Sequence, residues 1–301
     1  MFCGFSRSVI GASHIKTGLV CQDSSAHLVT DKYAVAVVAD GHGSKKHFRS
    51  NRGSKFAVEA TIETLQKFYE NSGEFEENLP SNHKLIIKNI QKQIISNWNM
   101  KVKKDLEDEP VTDEEKKPFT EDEFKEIQPE SYYGTTLIAA VSGKDYTFGL
   151  QIGDGSLVAV FEDGSTVMPM EYNESAPANV TASICNANAA RMFCSYYIGN
   201  RAPVALFTST DGLYTSFGSE FDFLDYHTII ASQLENIENF KTTITNNITK
   251  RSQYGTEDDI SLSCVYNEEM LEKCIPAIKD KVAENKQKAA ERKAERLRRQ
   301  V

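Results

Sequence analysis

Residues 135–161 read TTLIAAVSGKDYTFGLQIGDGSLVAVF, three apolar runs separated by two tight polar turns. The runs are rich in Ile, Leu, Val and Phe, which suit a pleated surface, and each is too short for a helix. SGKD at 142–145 reads as one hairpin turn and GDG at 153–155 as a second. Connections this short join strands that run in opposite directions. The stretch therefore commits the fold to antiparallel sheet and excludes a doubly wound parallel one, whose strands would alternate with helices.

Further strands are expected at 2–10, 33–39, 204–208 and 260–266, in addition to 135–141, 146–152 and 156–161. Helices are expected at 50–69 and 85–102, where Phe56, Ala57, Ala60, Leu65 and Phe68, then Ile86, Ile90, Ile94 and Trp98, form one-sided apolar stripes. One or two more fit 221–249. The pattern predicts an α+β protein with sheet inside and helices outside. Two segments read as peripheral. Residues 101–130 are dominated by Asp and Glu and read as an acidic, exposed loop with broken helix. From 268 onward Leu271, Ile275, Ile278 and Val282 recur at helical spacing, whereas KAAERKAERLRRQV has few apolar residues. The expectation is a catalytic domain over 1–267 and a charged helical tail over 268–301. That tail docks at its start, is solvated at its end, and is a candidate site for a protein partner.

The net charge is −9. Such a chain lacks the basic surface that nucleic acid requires, but a phosphate substrate remains open if metal supplies positive charge locally. Six cysteines without a CxxC pair read as reduced thiols. No run approaches the roughly 18 apolar residues of a membrane span, and no leader is evident at the start. The expected location is the cytoplasm, without a membrane partner.

Carboxylates recur beside the strands. AVAVVADGHGS ends in Asp40, VALFTSTDG in Asp211, and LQIGDG in Asp154; Asp23 and the pair Asp258–Asp259 stand immediately before strands. Acids that converge repel one another and resist ionising. A hard divalent cation turns that repulsion into binding, since it prefers carboxylate and carbonyl oxygens. Glycines at 41 and 43 let the backbone approach closely and turn carbonyls outward.

QDSS at 22–25, VVADGHGS at 37–44, YGTTLIAAV at 133–141, IGDGSLVAV at 152–160, FTSTDGLY at 207–214 and DDISLSCVY at 258–266 appear in one order. In these motifs the chain resembles the metal-dependent protein Ser/Thr phosphatases of the 2C family, with an opening closest to the bacterial-type branch. The resemblance implies two packed, mostly antiparallel sheets flanked by helices, an αββα sandwich. It further implies two Mn²⁺ or Mg²⁺ ions, with a third, looser ion in some members. Asp40 would bridge the pair and the Gly41 carbonyl would bind the second ion. Asp211 and Asp258 would hold the first, with Asp23 beside the second. Asp154 and Asp211 match the third-ion positions. Gly134 and Thr135 match a chiefly structural stretch, and Asp259 stands where many members have Asn.

The implied reaction is hydrolysis of phosphoserine and phosphothreonine in phosphorylated protein substrates by metal-activated water, with His42 as the candidate general acid. Many members carry a phosphate-gripping Arg five residues before the acid at 23; here that position is Gly18. His14 and Lys16 are the candidate substitutes for phosphate binding. Residues 170–200 match poorly and correspond to the variable flap. Two other readings stay open: a noncatalytic phosphatase-like binding module, and a metal phosphoesterase for small molecules.

Overall fold

The computed structural model describes residues 1–170 and 181–299. Strand β1 (Phe2–Val9) is followed by a short helix α1 (Ala12–Thr17) and the pair β2 (Ser24–Val29) and β3 (Ala34–Ala39). Helices α2 (Ser50–Phe68), α3 (Ser72–Asp108), α4 (Asp113–Lys116) and α5 (Glu121–Glu126) come next. Strands β4 (Leu137–Ser142), β5 (Tyr146–Ile152), β6 (Ser156–Val160) and β7 (Thr166–Val167) form the middle of the chain. They are followed by α6 (Ala189–Met192), β8 (Cys194–Gly199), β9 (Ala205–Ser209) and α7 (Asp211–Tyr214). The last third holds α8 (Glu220–Gln233), α9 (Ile237–Arg251), a π-helical turn (Ser252–Thr256), β10 (Ile260–Asn267) and α10 (Glu268–Arg299).

The strands form two sheets of five, in the orders β1-β10-β9-β6-β7 and β2-β3-β4-β5-β8, with antiparallel neighbours throughout. The expected αββα sandwich is the architecture found. Strand β3 explains why its sequence, AVAVVA, lacks the apolar–polar alternation of a half-buried strand. Ala34, Ala36 and Val38 face the other sheet, where Leu157, Ala159, Leu206 and Val265 complete the central layer. Val35, Val37 and Ala39 face the helices, against Ala57, Leu65, Ile90 and Trp98 of α2 and α3. Alternate side chains enter different layers, and both layers are dry. On the outer face of the first sheet Phe207 and Leu262 pack under Phe223, Ile230, Phe240 and Ile248 of α8 and α9.

One expectation is corrected here. GDG at 153–155 is not a hairpin turn, because β5 and β6 lie in different sheets. Gly153, with φ of 105°, turns the chain from the second sheet into the first. A short turn between two apolar runs reads the same in sequence whether the strands pair or part, so the corner was hidden.

Helix α3 is longer than 85–102. It begins at Ser72, contains Pro80, and breaks regular geometry at Asn82 (φ −124°, ψ 17°) before continuing. A proline lacks an amide hydrogen and its ring crowds the preceding turn, which accounts for the kink. Within 101–130, residues 101–108 complete α3, while α4 and α5 are single turns that each start with a Thr–Glu capping box. The buried Arg49 side chain pins this acidic segment. Its guanidinium donates to both Glu115 oxygens (2.7 and 2.9 Å), to the Glu109 carbonyl (2.8 Å) and to the Tyr133 hydroxyl (2.9 Å).

At the other end of the chain, Leu271, Ile275 and Ile278 bury the start of α10, and Arg292 still reaches Asp225 at 3.1 Å. The helix thus docks beyond its apolar first turns. Residues 194–199, assigned to the flap from sequence, form β8, an edge of the second sheet; 171–180 of that segment lie outside the described residues. Among the described residues no helix is long and apolar enough to cross a membrane.

Candidate active site

Antiparallel register decides where the acids meet. Ser24 pairs with Ala39, so Asp23, just before β2, and Asp40, just after β3, emerge at the same end of the second sheet. Leu262 pairs with Ser209, so Asp211 and Asp258 emerge together from the first. The corner carrying Asp154 reaches the same end, where the Thr181 hydroxyl donates to its Oδ2 at 3.0 Å. Thr210 ties the sheets together: its Oγ1 donates to Asp23 Oδ2 at 2.8 Å and accepts from the Ser261 amide at 2.9 Å.

The Asp40 backbone is held from both sides. Its amide donates to Thr136 Oγ1 (3.0 Å), and its carbonyl accepts from Thr135 Oγ1 (2.7 Å) and the Thr136 amide (2.8 Å). Gly41 must be glycine. A Cβ there would lie 2.6 Å from the Gln22 carbonyl oxygen and 2.8 Å from that of Ser50, both backbone atoms that have nowhere to move. Gly212 is equally confined, because its Cβ would strike the Asp259 carbonyl oxygen. That contact seats the Asp211 turn directly on the 258–259 segment.

Electrostatically the cluster is strained. Burial first, and then neighbouring carboxylates, pushes Asp40 well above the usual carboxylate range; the neighbours are Asp23, Asp211 and Asp258. Asp23 is also raised well above that range by burial, offset in part by hydrogen bonds from Thr210 and Ser261. Asp211 and Asp258 are raised too, again chiefly by burial. Asp40 and Asp211 act on one another directly, each shifting the other's titration. Asp211 Oδ1 is buried and has no hydrogen-bond partner among the described residues.

A carboxylate oxygen left in this state costs stability unless something positive meets it. The donor set is oxygen only, as Mg²⁺ and Mn²⁺ prefer. Among the described residues no three His, Cys, Asp or Glu side chains already surround one point as ligands. One oxygen of Asp23 accepts from Thr210 and one of Asp154 from Thr181, which leaves the second oxygen of each to an ion.

His42 lies at the rim, with its amide bonded to the Gly134 carbonyl (3.0 Å) and its ring 5.0 Å from that of His47. Burial and the His47 ring lower its pKa to about 4, against the raising pull of Asp154. His14 and Lys16 sit on α1 and face acids of the last motif. His14 Nδ1 is 3.0 Å from Asp259 Oδ1, and Lys16 Nζ is 2.7 Å from Glu257 Oε1. Gly18 ends α1 in the left-handed conformation (φ 73°) with open space around its Cα.

Sequence reasoning missed the work of Asp259. This buried carboxylate accepts the Gly11 amide (2.5 Å) and the Gln22 amide (2.6 Å), clamping the first motif to the last across the whole chain. An acidic pair immediately before a strand is the one signal that could have found it. Only one of two neighbouring acids can face the cluster, so the second must be satisfied elsewhere. Thr210 carried no signal at all beyond adjacency to Asp211.

The sequence pattern of protein phosphatase 2C matches residues 10–248. No curated protein sequence matches the chain. Among solved structures, a bacterial serine phosphatase superposes with a TM-score of 0.53 at 14% identity, covering 89% of this chain and 98% of that one. The S. agalactiae serine/threonine phosphatase gives 0.52 at 16%, covering 89% and 100%. At these identities the likeness is one of fold. The sixth motif, DDISLSCVY, lies beyond the matched residues, yet its strand pairs with β9 and brings Asp258 beside Asp211. With the match spanning most of its length, the chain belongs to the protein phosphatase 2C family.

Proposed function

We propose that the chain hydrolyses phosphoserine and phosphothreonine in proteins with the help of divalent cations, Mn²⁺ or Mg²⁺. The observation that carries this reading is the buried Oδ1 of Asp211, without a hydrogen-bond partner among the described residues, at the end where Asp23, Asp40 and Asp258 also converge. Asp40, Asp211, Asp258 and the Gly41 carbonyl would hold two ions, with Asp23 next to them. Asp154 and Asp211 would serve a third. Bound there, such ions lower the pKa of water and offset charge on the phosphoryl oxygens.

The chain's own residues supply the rest. Thr135 and Thr136 fix the Asp40 backbone, so the carboxylate is presented without a search among conformers. His42 is neutral at pH 7 in the free molecule. An arriving phosphate dianion favours the imidazolium by its charge, which lets His42 take up a proton and give it to the departing serine or threonine oxygen. Lys16, held only by an exposed ion pair worth about 1 kcal/mol or less, is free to exchange Glu257 for a phosphate oxygen. His14 is the second candidate for that contact.

The test is turnover of a phosphopeptide panel with and without Mn²⁺, run beside Asp40→Asn. Metal-dependent turnover that the substitution abolishes supports the proposal; metal-independent turnover, or full activity in Asp40→Asn, refutes it. Turnover of small phosphate esters with none of phosphopeptides would point to the small-molecule reading instead.

A further inference from the structure

Away from the acids, a cleft of about 720 Å³ runs between α3 and the edge strand β8. Its charged and polar lining includes His83, Lys84, Lys88 and Gln91 from α3, Arg191, and Ser195 and Tyr197 of β8. Among the described residues no Asp or Glu lines it, in a chain that carries 43 acids against 34 Lys and Arg. Toward the end of the same helix Lys101 pairs with Glu59 and Glu63, Lys103 with Glu107 and Lys104 with Asp108, whereas Lys92 forms no ion pair among the described residues. Among the described residues Lys84 and Lys88 form no such pair, and both are exposed. The His83 ring lies flat on Tyr197, centroids 4.6 Å apart, and forms an aromatic wall.

Among the described residues strand β8 pairs with β5 on one side only, which leaves one row of backbone groups to an added strand. Its register ties the cleft to the acid end of the molecule. Cys194, the first residue of β8, pairs with Gln151, three residues from Asp154. The loop before α6 continues the path, since the Ile184 amide donates to the Thr135 carbonyl at 3.0 Å, beside Asp40.

We propose that this cleft docks an extended, acidic segment of the protein substrate, laid along β8 with its carboxylates over Lys84 and Lys88 and leading toward the acid cluster. What the segment belongs to rests on the phosphoprotein reading above; that it binds does not. Complementary charge on an otherwise acidic surface selects the occupant, and an unpaired strand edge selects an extended conformation.

The test is fluorescence anisotropy of a labelled, unphosphorylated Glu-rich peptide with the wild-type chain, with Lys84→Glu/Lys88→Glu, and with the milder Lys84→Gln/Lys88→Gln. All four substitutions are at exposed side chains, and matched thermal melts check that the fold is kept. The expected result is peptide binding that weakens with salt, falls about tenfold or more in the charge-reversed chain, and falls less in the glutamine variant. Turnover of p-nitrophenyl phosphate in Mn²⁺ stays at the wild-type level. With an acid-flanked phosphopeptide KM rises in the variants at constant kcat, while a neutral-flanked one is unaffected. Equal peptide binding by wild type and both variants overturns the proposal, as does preference for a Lys-rich peptide or stronger competition by single-stranded RNA. Peptide binding that depends on Lys84 and Lys88 in a chain without phosphatase turnover would sink the catalytic reading and leave the docking site standing.

Discussion

Replacing Asp40 by Asn should stabilise the metal-free protein and destroy its response to metal. Asp40 faces Asp23, Asp211 and Asp258, and burial holds it well above the normal carboxylate range. Two unit charges at about 4 Å repel by about 4 kcal/mol at an effective dielectric constant near 20. Taking up a proton, which the raised pKa of Asp40 favours, relieves part of that. The residue of the penalty is about 1–3 kcal/mol at neutral pH, which Asn removes while keeping the shape. At about 2.1 cal/mol/K per residue for the entropy of unfolding, that is a rise in Tm of about 2–5 °C in chelator.

The sign with pH follows from the same shifts. An acid whose folded pKa is raised costs nothing below its unfolded value of 3.8 and progressively more as pH climbs through the folded value. The advantage of Asp40→Asn is therefore larger at pH 8 than at pH 5. In Mn²⁺ at about a hundred times its Kd the wild-type protein gains about 2.7 kcal/mol, and the variant gains little. Differential scanning calorimetry in chelator and in Mn²⁺, at both pH values, reads all four quantities. A variant that melts below wild type in chelator, or one that keeps the full Mn²⁺ shift, refutes the reasoning.

Asp259→Asn should cost about 1–3 kcal/mol in urea unfolding, because the Gly11 and Gln22 amides both need an oxygen and the carboxamide offers only one. Glu115, drawn down to about 2 chiefly by the Arg49 guanidinium, contributes stability that is fully present above pH 4.5 and is lost as pH falls toward 2, reduced by solvent screening of the pair; Glu115→Gln should flatten that part of the acid unfolding profile. His227 is fully buried, donates from Nδ1 to the Phe223 carbonyl (2.8 Å), leaves Nε2 without a partner among the described residues, and is lowered by burial to about 4. The unfolded chain takes up a proton near 6.5 and the folded one does not, so stability should fall by about 3 kcal/mol between pH 6.5 and pH 4; His227→Leu should remove this slope in pH-dependent denaturant melts.

What could be read from the residues followed their physical signal. Strands such as 146–152 and helices such as 50–69 carry the pattern of their own burial and were legible to within a residue or two. Strand β8, CSYYIG, was not, because an edge strand with one paired side and mixed polarity lacks that pattern. The start of α3 was hidden by Pro80 and by the polar residues of 72–84. The corner at Gly153 was misread because sheet membership is a long-range property. In the candidate site, Asp23, Asp40, Asp211 and Asp258 were legible as acids at strand ends, and the structure brings them together. Asp259 and Thr210 were not, because their function is to bond groups more than 180 positions away.

The convergence also depends on side chains that carry no charge. Acids from two sheets can share one site only if the sheets lie close, and the layer between them is built for closeness. Ala34, Ala36, Ala140 and Ala159 supply much of its facing surface. Hydroxyls bridge the sheets where they approach the acid end. Ser8 Oγ, bonded within its own sheet to Ser261 Oγ at 2.6 Å, crosses to Ser25 Oγ at 2.9 Å, and Ser263 donates to the Ala26 carbonyl at 2.8 Å. Each bond replaces packing volume with a short, directional contact. A methylene added at any of these alanines would be resisted by a close-packed layer. The separation of Asp40 from Asp211 is thus set by small residues distant from either, and the repulsion between the acids is balanced by the central layer as much as by the groups that touch them.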